Sequence, residues 1–200
     1  DGGTIKLDGN YPVGTNNVAL GDAAMSAVQA GADSNTAVGR LALTANTTAD
    51  YNTAVGGNSL RANTTGHTNS SFGQDAMRFN STGASNVAVG QQALHNNTTA
   101  SNNTAVGFQA GYYTTTANRL TAIGQFAGYG QATGAENTYV GYGSGPNTVA
   151  NASGQYNTGL GTFALYSNTT GSESTAVGYQ AGYSNTTGRI TAMGRHAVKN

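Results

Sequence analysis

Cysteine and tryptophan are absent from this chain of 200 residues, proline occurs only twice, and 8% of positions carry charge. Without cysteine there is no disulfide, no thiolate nucleophile and no zinc–thiolate centre. Eight basic and eight acidic residues cancel, so no cationic excess exists to neutralise phosphates, and nucleic acid is not an expected partner. No apolar run approaches the roughly 18–20 residues that a spanning helix requires, which argues against membrane insertion. The chain opens at Asp1 without a Met or a secretory leader, as expected of an excerpt or a processed product. Charge lies far below the roughly 25% of an ordinary globular domain. A low-charge chain with 30 glycines and much Asn, Ser and Thr could be disordered, but disorder usually comes with proline and net charge. Here the apolar residues fall on a strict beat.

That beat is an Asn-Thr-Ala-Val-Gly unit. Its closing glycine recurs at Gly21, Gly39, Gly56, Gly73, Gly90, Gly107, Gly124, Gly141, Gly161, Gly178 and Gly194, at spacings of 18, 17, 17, 17, 17, 17, 17, 20, 17 and 16. Such periodicity signals stacked supersecondary units. Each unit continues through two variable residues to an Ala-Leu pair such as Ala42-Leu43, Ala76-Met77 or Ala93-Leu94. An Asn-Thr-Thr-Gly-like run then begins at Asn46, Asn63, Asn80, Asn97 or Asn168. The residue before the glycine is always apolar: Val38, Val55, Phe72, Val89, Val106, Ile123, Val140, Leu160, Val177 and Met193. This slot and the Leu slot are expected to face inward, with the variable positions outside.

Glycine and β-branched residues weaken helices, and the two Gly/Asn turn signals in every unit favour short strands. Seventeen residues suit one coil of a parallel β-roll or β-solenoid. Each strand would pair with its copy in the next coil, giving a rise of roughly 4.8 Å per coil and a rod on the order of 50 Å for about eleven coils. Stacking like on like explains the composition. Charges placed opposite their own copies repel, whereas stacked amides and hydroxyls bond along the column. The Asn-Thr-Thr runs are therefore structural, and their match to glycosylation sequons is a by-product of the repeat. The expected organisation is a lead-in or cap over 1–16 and a repeat domain over 17–200. The 20-residue unit 137–156 should carry an insertion that bulges at Gly143-Ser144-Gly145-Pro146-Asn147. Two large apolar slots per coil make thin burial against the backbone entropy of seventeen residues, which points to self-association.

Units such as Asn103-Thr104-Ala105-Val106-Gly107 with Gln109-Ala110-Gly111-Tyr112, and the run Ala164-Leu165-Tyr166-Ser167-Asn168-Thr169-Thr170-Gly171, resemble the repeats of bacteriophage tail-fibre proteins. More distantly they are similar to the heads of trimeric autotransporter adhesins of the YadA type. The segment Gly3-Thr4-Ile5-Lys6-Leu7-Asp8-Gly9-Asn10 resembles the region that precedes such repeats in marine phage fibres. The resemblance covers about residues 3–200. It implies a left-handed β-roll, a parallel homotrimer, and a fibre or host-attachment role on a virion or cell surface. The 17-residue period is longer than is typical of the autotransporter heads.

Chemistry-bearing residues are sparse, and neither a catalytic site, a cofactor site nor a metal site is expected. His67, His95 and His196 occupy different offsets in different coils, with no metal-ligand spacing among them. Asp33 and Asp50 fall at coil junctions, and Asp22 and Asp75 follow the strand glycine, all read as solvated. Neither a phosphate-binding Gly-x-x-x-x-Gly-Lys loop nor a calcium-binding Gly-Gly-x-Gly-x-Asp repeat occurs. The position after the Leu slot is different: it reads Thr44, Arg61, Arg78, His95, Tyr112, Tyr129, Pro146, Tyr166, Tyr183 and Lys199. In register, Arg61, Arg78, His95, Tyr112, Tyr129, Tyr166 and Tyr183 form a cationic and then aromatic column, a candidate contact surface for a host glycan or protein. Phe108, Phe126, Tyr142, Phe163 and Tyr179 flank it. Three functions compete. The first is a structural and attachment fibre. The second is an ice-binding solenoid using the Thr36, Thr53, Thr104, Thr121 and Thr175 column, which a buried Val two residues on would turn inward. The third is a polysaccharide lyase or depolymerase, disfavoured by so few carboxylates.

Overall fold

The computed structural model describes residues 14, 16–147 and 150–198. The proposed lead-in over 1–16 and Lys199 lie almost wholly outside them. Eleven strands of three residues each, the first Val18–Leu20 and the last Thr191–Met193, form one parallel sheet in strict sequence order. The fold is an all-β parallel β-solenoid. The register is like on like: Thr36 opposite Thr53, Ala37 opposite Ala54, Val38 opposite Val55. It survives the long unit, where Thr138 pairs with Thr158 and Val140 with Leu160.

The strand face is the opposite of the one expected. Thr and Val do share a face, but it is the outer one. The Ala between them, as in Ala37, Ala54, Ala88, Ala105, Ala122 and Ala176, is wholly buried. Val89, Ile123 and Phe72 are 39%, 40% and 41% exposed, and Val38, Val55, Val106, Val140 and Val177 are half-buried. A narrow coil holds one large residue per layer. Leu43, Leu60, Met77, Leu94 and Leu165 reach across from the opposite wall and take that place, which leaves only an Ala-sized gap under the strand. The small slot varies only where a neighbour compensates. Tyr139 is fully buried because its coil and the preceding one carry glycine in the Leu slot: a Cβ on Gly145 would lie 2.5 Å from the Tyr139 ring and one on Gly128 3.2 Å from it.

The other core elements are two columns of buried asparagine. In one, each Asn Oδ1 accepts the backbone N–H of the next copy: Asn52 N to Asn35 at 2.9 Å, Asn69 to Asn52 at 3.0 Å, Asn86 to Asn69 at 3.0 Å, Asn103 to Asn86 at 2.9 Å. In the second, Nδ2 of Asn63, Asn80 and Asn97 donates to Oδ1 of the preceding copy at 3.1, 2.8 and 2.6 Å. Asn46, Asn63, Asn80, Asn97 and Asn168 are at most 1% exposed, so their match to sequons carries no glycan in the folded chain. At the strand ends the corner glycines stack backbone to backbone. Gly90, at φ 131°, would place a Cβ 2.5 Å from the carbonyl oxygen of Gly107.

The long unit also differs from expectation. Gly143 N donates to Gln125 O at 3.0 Å and Asn147 N to Tyr166 O at 3.0 Å, while Ala132 N donates to Ala152 O at 3.0 Å. Gly143–Asn147 therefore keep the coil in register. The surplus residues thus fall between Asn147 and Ala152 in the sequence.

Candidate functional site

The aromatic column is built by the segment that follows each corner glycine. In most coils the second and fourth residues after that glycine take left-handed φ, as Phe163 (57°) and Leu165 (56°) do. This turns the Leu inward and sets the residue after it on the outer surface. Because every coil repeats the turn, the residues after Leu superpose.

His95 stacks on Tyr112 at 4.9 Å between centroids and 6° between planes. Tyr112 stacks on Tyr129 at 5.4 Å and 17°, and Tyr166 on Tyr183 at 5.0 Å and 5°. The column expected from the sequence thus exists as two ring stacks. It is less open than expected: the four tyrosines are half-buried and His95 is only 7% exposed. Burial lowers the His95 pKa below its usual value, with the nearby Asn96 side chain and Asp75 pulling the other way. Burial and the neighbouring Tyr113 hydroxyl raise the phenol of Tyr129.

Arg61 and Arg78 continue the column toward the N-terminal end, lining a shallow recess with Thr44 and Phe79. Arg78 is committed within its own coil: its guanidinium lies 3.3 Å from the Asp75 carboxylate and 5.3 Å from the centre of the Phe79 ring. Asp75 is accordingly not a solvated loop residue. It is 7% exposed and also accepts from Asn58 Nδ2 at 3.0 Å. His67 and His196 do not join His95, and among the described residues no group of three His, Asp or Glu side chains is placed to hold a metal.

The flanking aromatics resolve into separate rows. Phe108 and Tyr142 follow the corner glycine directly, and Phe126 and Phe163 come one residue later. They meet edge to face: Phe108 with Phe126 at 5.4 Å, Phe126 with Tyr142 at 6.0 Å, Tyr142 with Phe163 at 5.1 Å. Two residues outside the expected site belong to it. Phe79 meets His95 edge-on at 5.0 Å, and Tyr113 meets Tyr129 at 5.1 Å. Both occupy the slot after the column, so the same repeat arithmetic would have found them. Beside them runs a shallow groove of about 710 Å³ past Ser81, Thr98 and Thr115, reaching Ala150 and Asn151 of the surplus segment.

Comparison with protein-family models, with curated proteins and with solved structures finds no match for this chain.

Proposed function

We propose that the chain is a structural and host-attachment segment of a fibre, from a phage tail or a comparable cell-surface appendage, assembled as a parallel homotrimer of left-handed β-rolls. The observation that carries this reading is the outward Val ladder. Every strand places an exposed or half-buried apolar residue on the outer face in line with its neighbours, and contiguous apolar surface of this kind marks interaction sites. Three copies meeting along these rows would bury them and supply the apolar burial that each narrow coil lacks. The aromatic column leaves the chain on a different segment, which keeps it free to meet a host-surface glycan or protein. The carboxylate-poor surface supports binding or spacing and offers little for catalysis. Light scattering of the purified protein at micromolar concentration should give three times the chain mass, and a monomer would overturn the assembly.

A second reading draws on the same face. Thr36, Thr53, Thr104, Thr121 and Thr175 stand in outward register beside the Val row, so the objection that Thr is turned inward no longer applies. A flat, regular array of hydroxyls and methyls is suited to ice. That function needs the face uncovered, and a monomer with thermal hysteresis would favour it over the fibre.

A further inference from the structure

The aromatic column is interrupted in one coil, and the interruption is doubled. Five residues after the corner glycine, Tyr129 and Tyr166 flank Pro146; two residues after it, Phe126 and Phe163 flank Gly143. Both slots thus lose their aromatic ring in the same coil while the coils on either side fill both. The backbone there stays in register, with Gly143 N bonded to Gln125 O and Gly130 N to Pro146 O at 2.7 Å. Gly143 carries no side chain and the Pro146 ring is buried, so no aromatic ring projects here, and a notch of about 200 Å³ takes its place. Tyr129 and Tyr166 wall it on two sides. Each is backed by a ring stacked on its far face, and each meets its own Phe at 89°. Tyr142 lies against both Phe126 and Phe163 and closes a third side. At the base, a Cβ on Gly143 would come within 2.9 Å of the Phe163 ring.

We propose that this notch is a binding subsite for a single neutral pyranose residue with equatorial hydroxyls, completing the stack between Tyr129 and Tyr166. The inference rests on the reading that the aromatic column contacts a glycan. Two coils separate the walls, about 9–10 Å at the usual strand spacing. In this protein ring centroids stack at 5.0 and 5.4 Å, so the gap holds one ring. A flat ring touching both walls at carbon contact distance would span only about 7–8 Å. A puckered chair stands off further, and with equatorial hydroxyls it directs axial C–H groups at both faces. Its hydroxyls would lie at the rim, where Asn147 is available: Nδ2 of that residue is held by Phe126 O at 2.7 Å, which leaves Oδ1 as an acceptor. No charged residue lines the notch, so its ligand need carry no charge.

Saturation-transfer NMR with methyl β-D-glucopyranoside tests this, alongside methyl β-D-mannopyranoside, whose axial hydroxyl blocks one face, and tetramethylammonium. The glucoside should bind at least fivefold more tightly than the mannoside. Pro146→Tyr, which restores the column, should reduce glucoside binding at least tenfold with the circular dichroism spectrum unchanged. Tyr166→Ser, which removes a wall without filling the notch, should weaken it at least fivefold and carries the test should Pro146→Tyr misfold. Equal binding by wild type and both variants, or binding of tetramethylammonium alone, would overturn the subsite. Light scattering on the same samples separates the two proposals: a trimer indifferent to the glucoside removes the subsite and leaves the fibre, and a monomer that binds it does the reverse.

Discussion

At the scale of the residue, the corner glycine is the most constrained position in the repeat. Its φ of 126–141° over Gly39 to Gly178 lies outside the range L side chains favour, and the next coil's backbone occupies the space of a Cβ. Gly90→Ala should therefore lower stability by about 3 kcal/mol or more, the sum of backbone strain and overpacking, read as a drop in melting temperature. His95 makes a second prediction. Burial lowers its pKa, so the neutral ring is the form the fold favours. Its contribution is fully present above the unfolded value near 6.5 and is lost as pH falls through the lower folded value. An NMR titration should place its midpoint below 6.5, and His95→Phe should flatten the stability profile in that window. A midpoint at or above 6.5 would contradict the burial of the ring.

At the scale of the coil, much was legible from the sequence, but the interior side of the strand was not. The 17-residue beat specifies parallel, in-register stacking, and the low-charge composition specifies columns of amides; both are seen. The side of the strand was misread because size was taken as the sign of burial. A better signal was in the same rows. The Val slot accepts Phe72, Ile123 and Met193, a range of volumes that a close-packed interior resists. The Ala slot departs only with compensation, as Ser71 does by bonding to Ser59 Oγ at 2.7 Å. Similar compensation operates where the Leu slot holds glycine. Leu120 replaces an Asn beside Gly111 and Gly128, and a Cβ on Gly182 would come within 2.6 Å of Ile190 Cδ1. Gly128 shares a coil with Leu120, but the other pairs lie in different coils and become visible only once the coils are superposed.

The second asparagine column breaks at Thr114, where Asn97 Oδ1 and Thr114 Oγ1 are buried without a hydrogen-bond partner. Thr114→Asn should restore the ladder and raise stability by about 1 kcal/mol, the usual net worth of a buried hydrogen bond. Denaturant unfolding checks this, and a loss of stability would mean the coil has no room for the amide beside Gly111.

At the scale of the whole molecule, the outward Val ladder is the feature that asks for a partner. Paired charges placed in it should act on assembly more than on folding, because these side chains touch little within their own chain. Val89→Lys with Ile123→Lys, two coils apart and so not opposite each other, is expected to convert the proposed trimer to a folded monomer, with strand content by circular dichroism retained and mass by light scattering reduced. Loss of strand signal together with mass would instead make the ladder part of each chain's own core.

The sequence by itself determined the period, the register, the parallel all-β architecture and the alignment of the aromatic column, because each follows from identical slots recurring at a constant interval. Only the tertiary structure decided that Thr and Val face outward, that the surplus of the long unit lies beyond Asn147, and that Gly143 and Pro146 open a notch between two ring stacks. Periodicity states which residues share a face. Which face is interior depends on the volume left between the two walls of a coil, and that volume is set by side chains that meet across it.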